Sequence, residues 1–147
     1  LPISELCGRD HAFMPIVINA VPKADYAVWV EEQKATQLAA AEGANKEWTK
    51  DELLTKGAEV YTTNCVACHM AEGQGVEGLF PSLDGSAIVN GPTSDMIMLI
   101  LNGKNMMPAW KDLLNDTDIG AVMTYTRNSW GNTVKDIVQP ADVKAKR

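Results

Sequence analysis

The sequence predicts a mainly α chain. Helix-capping residues stand before stretches whose apolar side chains recur at helical spacing. Glycine clusters and a Met-Pro pair fall between those stretches, where turns belong. Only one run, Phe13 to Val21, has the Ile and Val content of a strand.

In chain order, residues 1–21 read as a turn followed by that strand, with Pro15 near its start. Pro22 opens a helix, as proline is tolerated in a first turn. Tyr26, Trp29 and Val30 give this helix an apolar side, and it runs through Ala39-Ala40-Ala41 to Gly43 as a semi-rigid spacer. Thr49 and Glu52 form the S/T-x-x-E capping box of a second helix, with Leu53, Leu54, Gly57, Ala58 and Tyr61 on one face. Met70 to Leu83 is a glycine-rich loop. Thr93 or Ser94 caps a third helix that continues through Leu101 and stops at Gly103. A last helix follows Asn115-Asp116-Thr117, burying Ile119, Val122, Met123, Thr126 and Trp130, with Tyr125 beside them. The chain thus divides into residues 1–21, a linker helix over 22–48, a helical domain over 49–131 and a tail over 132–147. It has no internal repeat.

Between the second helix and the glycine-rich loop stands Cys65-Val66-Ala67-Cys68-His69. C-x-x-C-H is the spacing of c-type haem attachment. Two thiols add across the two vinyl groups of one haem, and the adjacent histidine lies under the iron. A redox dithiol would share the cysteine spacing but would not need His69. A zinc site would need further cysteines or histidines nearby, and only Cys7 and His11 remain, more than fifty residues upstream.

His69 is therefore the expected proximal ligand. The sixth ligand should be a thioether or a second histidine. His11 belongs to the other segment. Among seven methionines, Met107 stands in the loop Gly103-Lys104-Asn105-Met106-Met107-Pro108-Ala109-Trp110, before a proline that fixes the backbone. Met106 is its competitor. Adjacent side chains on an extended backbone point to opposite sides, so only one of the two can ligate.

Residues 50 to about 131 resemble class I cytochromes c: C-x-x-C-H after an N-terminal helix, then a Met-Pro loop, then a C-terminal helix. The resemblance implies that Gly57, Tyr61 and Tyr125 pack where the first and last helices meet. It implies that the Pro81 carbonyl accepts a hydrogen bond from the proximal histidine. It places Trp110 in the pocket near the haem propionates.

Ser4 to Val17 resembles the end of a copper A domain, as in subunit II of haem–copper cytochrome c oxidases. In the pattern C-x-E-x-C-x-x-x-H-x-x-M, Glu5, Cys7, His11 and Met14 fall on ligand positions, and Ile3 falls where the first cysteine should be. One thiolate cannot bridge two coppers in the family's way, so these four residues are expected to be a remnant that holds no metal here. Copper A is expected only in an intact parent protein. The order copper A, linker helix, cytochrome c resembles subunit II of caa-type oxidases, in which a cytochrome c is fused behind the copper A domain.

The 147 residues carry a net charge of −6. That excludes nucleic acid as a partner, which a basic patch would bind, and is compatible with a basic protein partner. No apolar run approaches the roughly 20 residues of a membrane span, so any anchor is expected to lie N-terminal to this chain. Covalent haem implies export, hence the periplasmic side of a bacterial inner membrane.

The expected function is one-electron transfer. Electrons would arrive from a periplasmic donor such as a cytochrome c and pass from haem c to copper A and the oxygen-reducing centre in oxidase subunit I. The junction near Gly43 to Lys46 would let the cytochrome move between donor and copper site. The alternatives are an independent periplasmic class I cytochrome c and, from another class, a haem sensor or peroxidase with a labile sixth ligand.

Overall fold

A computed structural model describes residues 18–43 and 45–147. Its helices are α1 (Lys23–Gly43), α2 (Lys50–Asn64), α3 (Val66–His69), α4 (Thr93–Asn102), α5 (Asp116–Asn128) and α6 (Pro140–Lys144). The chain forms two units, Leu1–Gln37 and Leu38–Arg147.

In the first unit, α1 begins where Pro22 predicts. The Tyr26 amide donates to the Pro22 carbonyl at 3.0 Å. Tyr26 and Trp29 stack at 5.7 Å as i, i+3 neighbours, and both are exposed. The expected strand is a correction. Residues 18–22 have no regular structure, and residues 13–17 lie outside the described residues. A strand needs a paired edge for its backbone groups, and no strand is present among the described residues to supply one. Glu5, Cys7, His11 and Met14 also lie outside the described residues.

The second unit is built on the crossing of α2 and α5. Both helices start on side-chain caps. Thr49 and Glu52 make the reciprocal capping box, and the Asn115 side chain accepts from the Asp118 amide at 2.9 Å. The helices approach closely at Gly57. A Cβ there would stand 2.2 Å from the Ala121 carbonyl oxygen and 2.6 Å from the Tyr125 Cβ, so only glycine permits the crossing. Lys56 adds an ion pair across it to Asp118 at 2.8 Å.

The α4 start differs from expectation. Pro92 holds the cap position without a side-chain bond, and Thr93 is already helical. Proline's fixed φ sets the chain for the helix, so no hydroxyl is required. Gly103 closes α4 as expected, at φ +70°.

Two apolar clusters form the core. Val89, Met96, Ile97, Ile100, Leu101, Ile119, Met123, Val138 and Val143 make the larger one, and Val60, Tyr61 and Val122 the smaller. Leu83 and Leu114 pack against both. Residues 132–147, read from sequence as a tail, bury Val138, Pro140 and Val143. Gln139 brackets Trp48, accepting from its amide at 3.0 Å and donating to its carbonyl at 2.8 Å. The Trp48 indole in turn donates to the Gly43 carbonyl at 2.8 Å. The junction expected to flex near Gly43 is therefore tied to the start of α2.

Candidate haem site

The two cysteines are set by a helix change. Cys65 ends α2 and begins α3, and its carbonyl accepts from the amides of Cys68 (3.2 Å) and His69 (2.9 Å). One turn therefore brings both thiols and the imidazole to successive positions. Both cysteines are free and half-buried. Burial first, and the neighbouring Cys68 second, push the Cys65 thiol up to about 11.

Directly after His69 the chain reverses. Met70 sits at φ 62°, ψ 166°, a region that is essentially glycine's own and costs on the order of 1–3 kcal/mol for other residues. Two bonds hold it there. Its amide donates to the Val66 carbonyl at 2.9 Å, and the Tyr61 hydroxyl donates to its carbonyl at 2.6 Å. Burial raises the pKa of that hydroxyl, keeping it a donor.

The reversal leads into a small hairpin. Val76 and Phe80 exchange both backbone bonds at 2.8 Å. At its base Gly75 adopts φ +65° and donates to the His69 carbonyl at 3.0 Å. A Cβ on Gly75 would lie 2.4 Å from the Phe80 oxygen and 2.7 Å from the Pro81 oxygen. This close approach delivers the Pro81 carbonyl to His69, whose Nδ1 lies 3.0 Å from it. A carbonyl only accepts, so Nδ1 carries the proton and Nε2 keeps its lone pair for a metal.

The methionine loop is pinned by the same device. Lys104 and Met107 pair across a tight turn, at 3.1 Å and 2.9 Å. Asn105 takes φ 55° at the tip. A Cβ on Gly103 would stand 2.5 Å from the Met107 carbonyl oxygen. At the end of this turn the two neighbouring side chains diverge. Met106 is 67% exposed, whereas Met107 is half-buried against the larger core cluster beside Leu83, Trp110 and Leu114. Leu83 and Leu114 also meet the smaller cluster, against which Cys65 packs. They connect the cysteine side of the site to the methionine side. The Leu114 carbonyl accepts from Arg147 Nη2 at 2.9 Å, and Asp116 accepts from Arg147 Nε at 2.7 Å.

Two buried polar side chains hold loop backbone around the core, and the sequence reading passed over both. Asn132 donates to the carbonyls of Leu83 (3.0 Å) and Thr126 (2.8 Å), and accepts from the Gly85 amide (3.0 Å) and Asn90 Nδ2 (2.7 Å). Arg127, 2% exposed, makes a bidentate pair with Asp136 at 2.8 and 2.7 Å and caps the carbonyls of Val89 and Gly91. Arg127 could have been flagged, because it continues the apolar i, i+4 line through Ile119 and Met123. Nothing in the sequence marks Asn132. Beside them Tyr61, Tyr125 and Trp130 form a triad with centroids 5.3–5.8 Å apart. Trp130 lies so close on Gly73 that a Cβ there would meet its ring at 2.6 Å.

The family described as "Cytochrome C oxidase, cbb3-type, subunit III" matches residues 52–125, half of the chain. The chain belongs to this family and is a class I cytochrome c domain. The cytochrome is similar to the alcohol dehydrogenase (quinone) cytochrome c subunit of Gluconobacter oxydans, 34% identical over 103 residues, covering 62% of this chain and 22% of that subunit. It is similar to cytochrome c6 of Bryopsis maxima, 39% identical over 77 residues, covering 47% of this chain and 83% of the relative. The cbb3-type cytochrome c oxidase subunit CcoP of Azospirillum brasilense is 33% identical over 94 residues, covering 59% of this chain and 32% of that subunit. The chain thus spans about a quarter of the length of the dehydrogenase subunits it matches.

A c-type cytochrome carries covalent haem c, and the donor set of this cytochrome fits it. Two free thiols stand one helical turn apart, an imidazole keeps Nε2 free, and a half-buried thioether packs on the larger apolar cluster, which Leu83 and Leu114 join to the cluster beside Cys65. Among the described residues no group of three or more His, Cys, Asp or Glu could hold a separate metal ion. No described helix is long and apolar enough to cross a membrane.

Proposed function

We propose that this cytochrome carries single electrons within a respiratory oxidase, as the cytochrome domain of a caa-type subunit II. When bound, the haem supplies the ferric–ferrous couple. Cys65 and Cys68 are assigned as its thioether anchors, His69 as the proximal ligand and Met107 as the distal one. Pro81 orients His69 and strengthens it as a donor. Trp110 is assigned to the pocket near the haem propionates. Two strong axial ligands leave no open position, which argues against a sensor or peroxidase, and methionine raises the potential relative to bis-histidine ligation. The observation that carries the electron-transfer reading is the pairing of a pre-oriented imidazole with a methionine whose backbone is clamped from both sides. A visible spectrum tests it. Colour retained after acid-acetone extraction and a methionine-to-iron charge-transfer band support it, and rapid carbon monoxide binding to the reduced protein overturns it.

The placement in subunit II rests on Glu5, Cys7, His11 and Met14, which resemble copper A ligands and are proposed to be empty in this chain. Copper reconstitution should leave no tightly held copper pair, and two coppers per chain would contradict this. Electrons would come from a periplasmic cytochrome c and go on to oxidase subunit I. A second reading, the cytochrome subunit of a quinone-linked dehydrogenase, is favoured by the 34% identity to that subunit. Fast oxidation of the reduced cytochrome by a copper A-containing oxidase core supports the first reading. Reaction with the dehydrogenase alone would favour the second.

A further inference from the structure

No lysine or arginine occurs between Lys56 and Lys104, a span that holds five carboxylates together with the C-x-x-C-H motif and the Pro81 loop. The basic residues lie outside it, so the negative charge is concentrated on one part of the chain. Glu77 lies within the Val76–Phe80 hairpin and Glu72 precedes it, and among the described residues neither makes a salt bridge.

The same hairpin borders an open groove of about 480 Å³, lined by Gln74 to Ser82 apart from Gly75. Leu79 projects at its rim, 55% exposed, beside half-buried Val76 and Phe80. The hairpin is held by its two 2.8 Å bonds and by Gly75 at its base, so the surface is formed before any partner arrives. One wall is Pro81, whose carbonyl is the acceptor of the His69 proton. One residue and one hydrogen bond therefore separate the groove from the proximal imidazole.

We propose that this groove is the docking face for an electron-transfer protein that presents an apolar side chain ringed by lysine or arginine. The inference rests on the electron-transfer reading and specifies its partner. Charge complementarity steers the encounter, and the apolar contact at Leu79 fixes its register. One electron crosses from the reduced partner to the oxidised cytochrome, and no bond or proton moves.

The test is stopped-flow electron transfer between the haem-loaded cytochrome and a basic soluble class I cytochrome c, across a range of ionic strength. Glu77→Lys should slow the second-order rate about tenfold at low salt, with the difference shrinking as salt rises. Leu79→Ser, which removes the apolar contact without changing charge, should slow it at every salt concentration. Glu47→Lys makes the same change in net charge outside the basic-free span and should change the rate less than about twofold. If Glu47→Lys slows the reaction as much as Glu77→Lys, net charge alone is responsible and the docking face is wrong. A Leu79→Ser rate equal to that of the unsubstituted protein also overturns it. Each variant should still be reduced by dithionite and keep its methionine–iron band. Failure of the unsubstituted protein on that control sinks the electron-transfer reading instead.

Discussion

The imidazole Nδ1–H of His69 donates to the Pro81 carbonyl oxygen at 3.0 Å, and Gly75 makes that contact possible by lying against both Phe80 and Pro81. The bond pushes electron density onto Nε2, and with haem iron held there it would favour the ferric state. Gly75→Ala places a Cβ at φ +65° within 2.4 Å of the Phe80 oxygen, which must displace the loop. Only the part of the bond specific to the ferric state shifts the midpoint potential, so a bond worth about 1 kcal/mol sets a rise of at most roughly 40 mV. Protein-film voltammetry of the variant checks this, and an unchanged potential would show that the Pro81 bond does not tune the iron.

Asn132 fills all four of its hydrogen-bonding positions, and two of its partners, Leu83 and Gly85, lie just beyond Pro81. Asn132→Ala leaves buried donors and acceptors unpaired and should cost about 3 kcal/mol in denaturant unfolding. Asn132→Asp keeps the acceptor for Gly85 but sets a carboxylate against the carbonyls of Leu83 and Thr126, so it should be at least as damaging. A loss below about 0.5 kcal/mol in Asn132→Ala would remove Asn132 from the support of the loop.

The helix crossing is expected to be intolerant of volume. Gly57→Ala must separate α2 from Ala121 and Tyr125, and overpacking of this kind costs about 1–3 kcal/mol or more. Thermal unfolding should report a clear drop in Tm. A neutral Gly57→Ala would mean that the helices meet elsewhere.

Acid should loosen the start of α2. The Lys46 ammonium first, then the Thr49 amide and hydroxyl, hold the Glu52 carboxyl at about 2, against an ordinary value of 4.5. A depressed carboxyl stabilises the fold above pH 4.5, and that stabilisation is lost as pH falls from 4.5 toward 2. Glu52→Gln should therefore be less stable than the unsubstituted protein at pH 7. Its stability should also change less between pH 5 and 3. Parallel pH curves for the two proteins would contradict the capping account.

What was legible in the sequence was local chemistry. Thr49 with Glu52, Asn115 and Gly103 mark helix ends because capping depends on residues three or four apart. Met107 could be preferred over Met106 because Pro108 fixes the backbone beside it and the resemblance to class I cytochromes c places a Met-Pro pair there. The helix over Lys23–Gly43 was readable from Pro22 and Gly43, although its exposed Tyr26 and Trp29 gave no sign of what they meet. Long-range partnerships were not legible. Gln139 with Trp48, Asn132 with Leu83, and Arg127 with Val89 join residues 38 or more positions apart, and no local pattern announces them. Residues 132–147 read as a tail because their apolar residues, Val138 and Val143, have no helical period around them, yet both are fully buried. The strand expected at Phe13 to Val21 followed composition alone, and composition supplies no pairing edge.

The most direct test of the account is the near-infrared absorption of the oxidised haem-loaded protein in Met107→Leu and Met106→Leu variants. The methionine-to-iron charge-transfer band should vanish in Met107→Leu and persist in Met106→Leu. Persistence of the band in Met107→Leu would contradict the assignment of the distal ligand and the closed, electron-transferring site built on it.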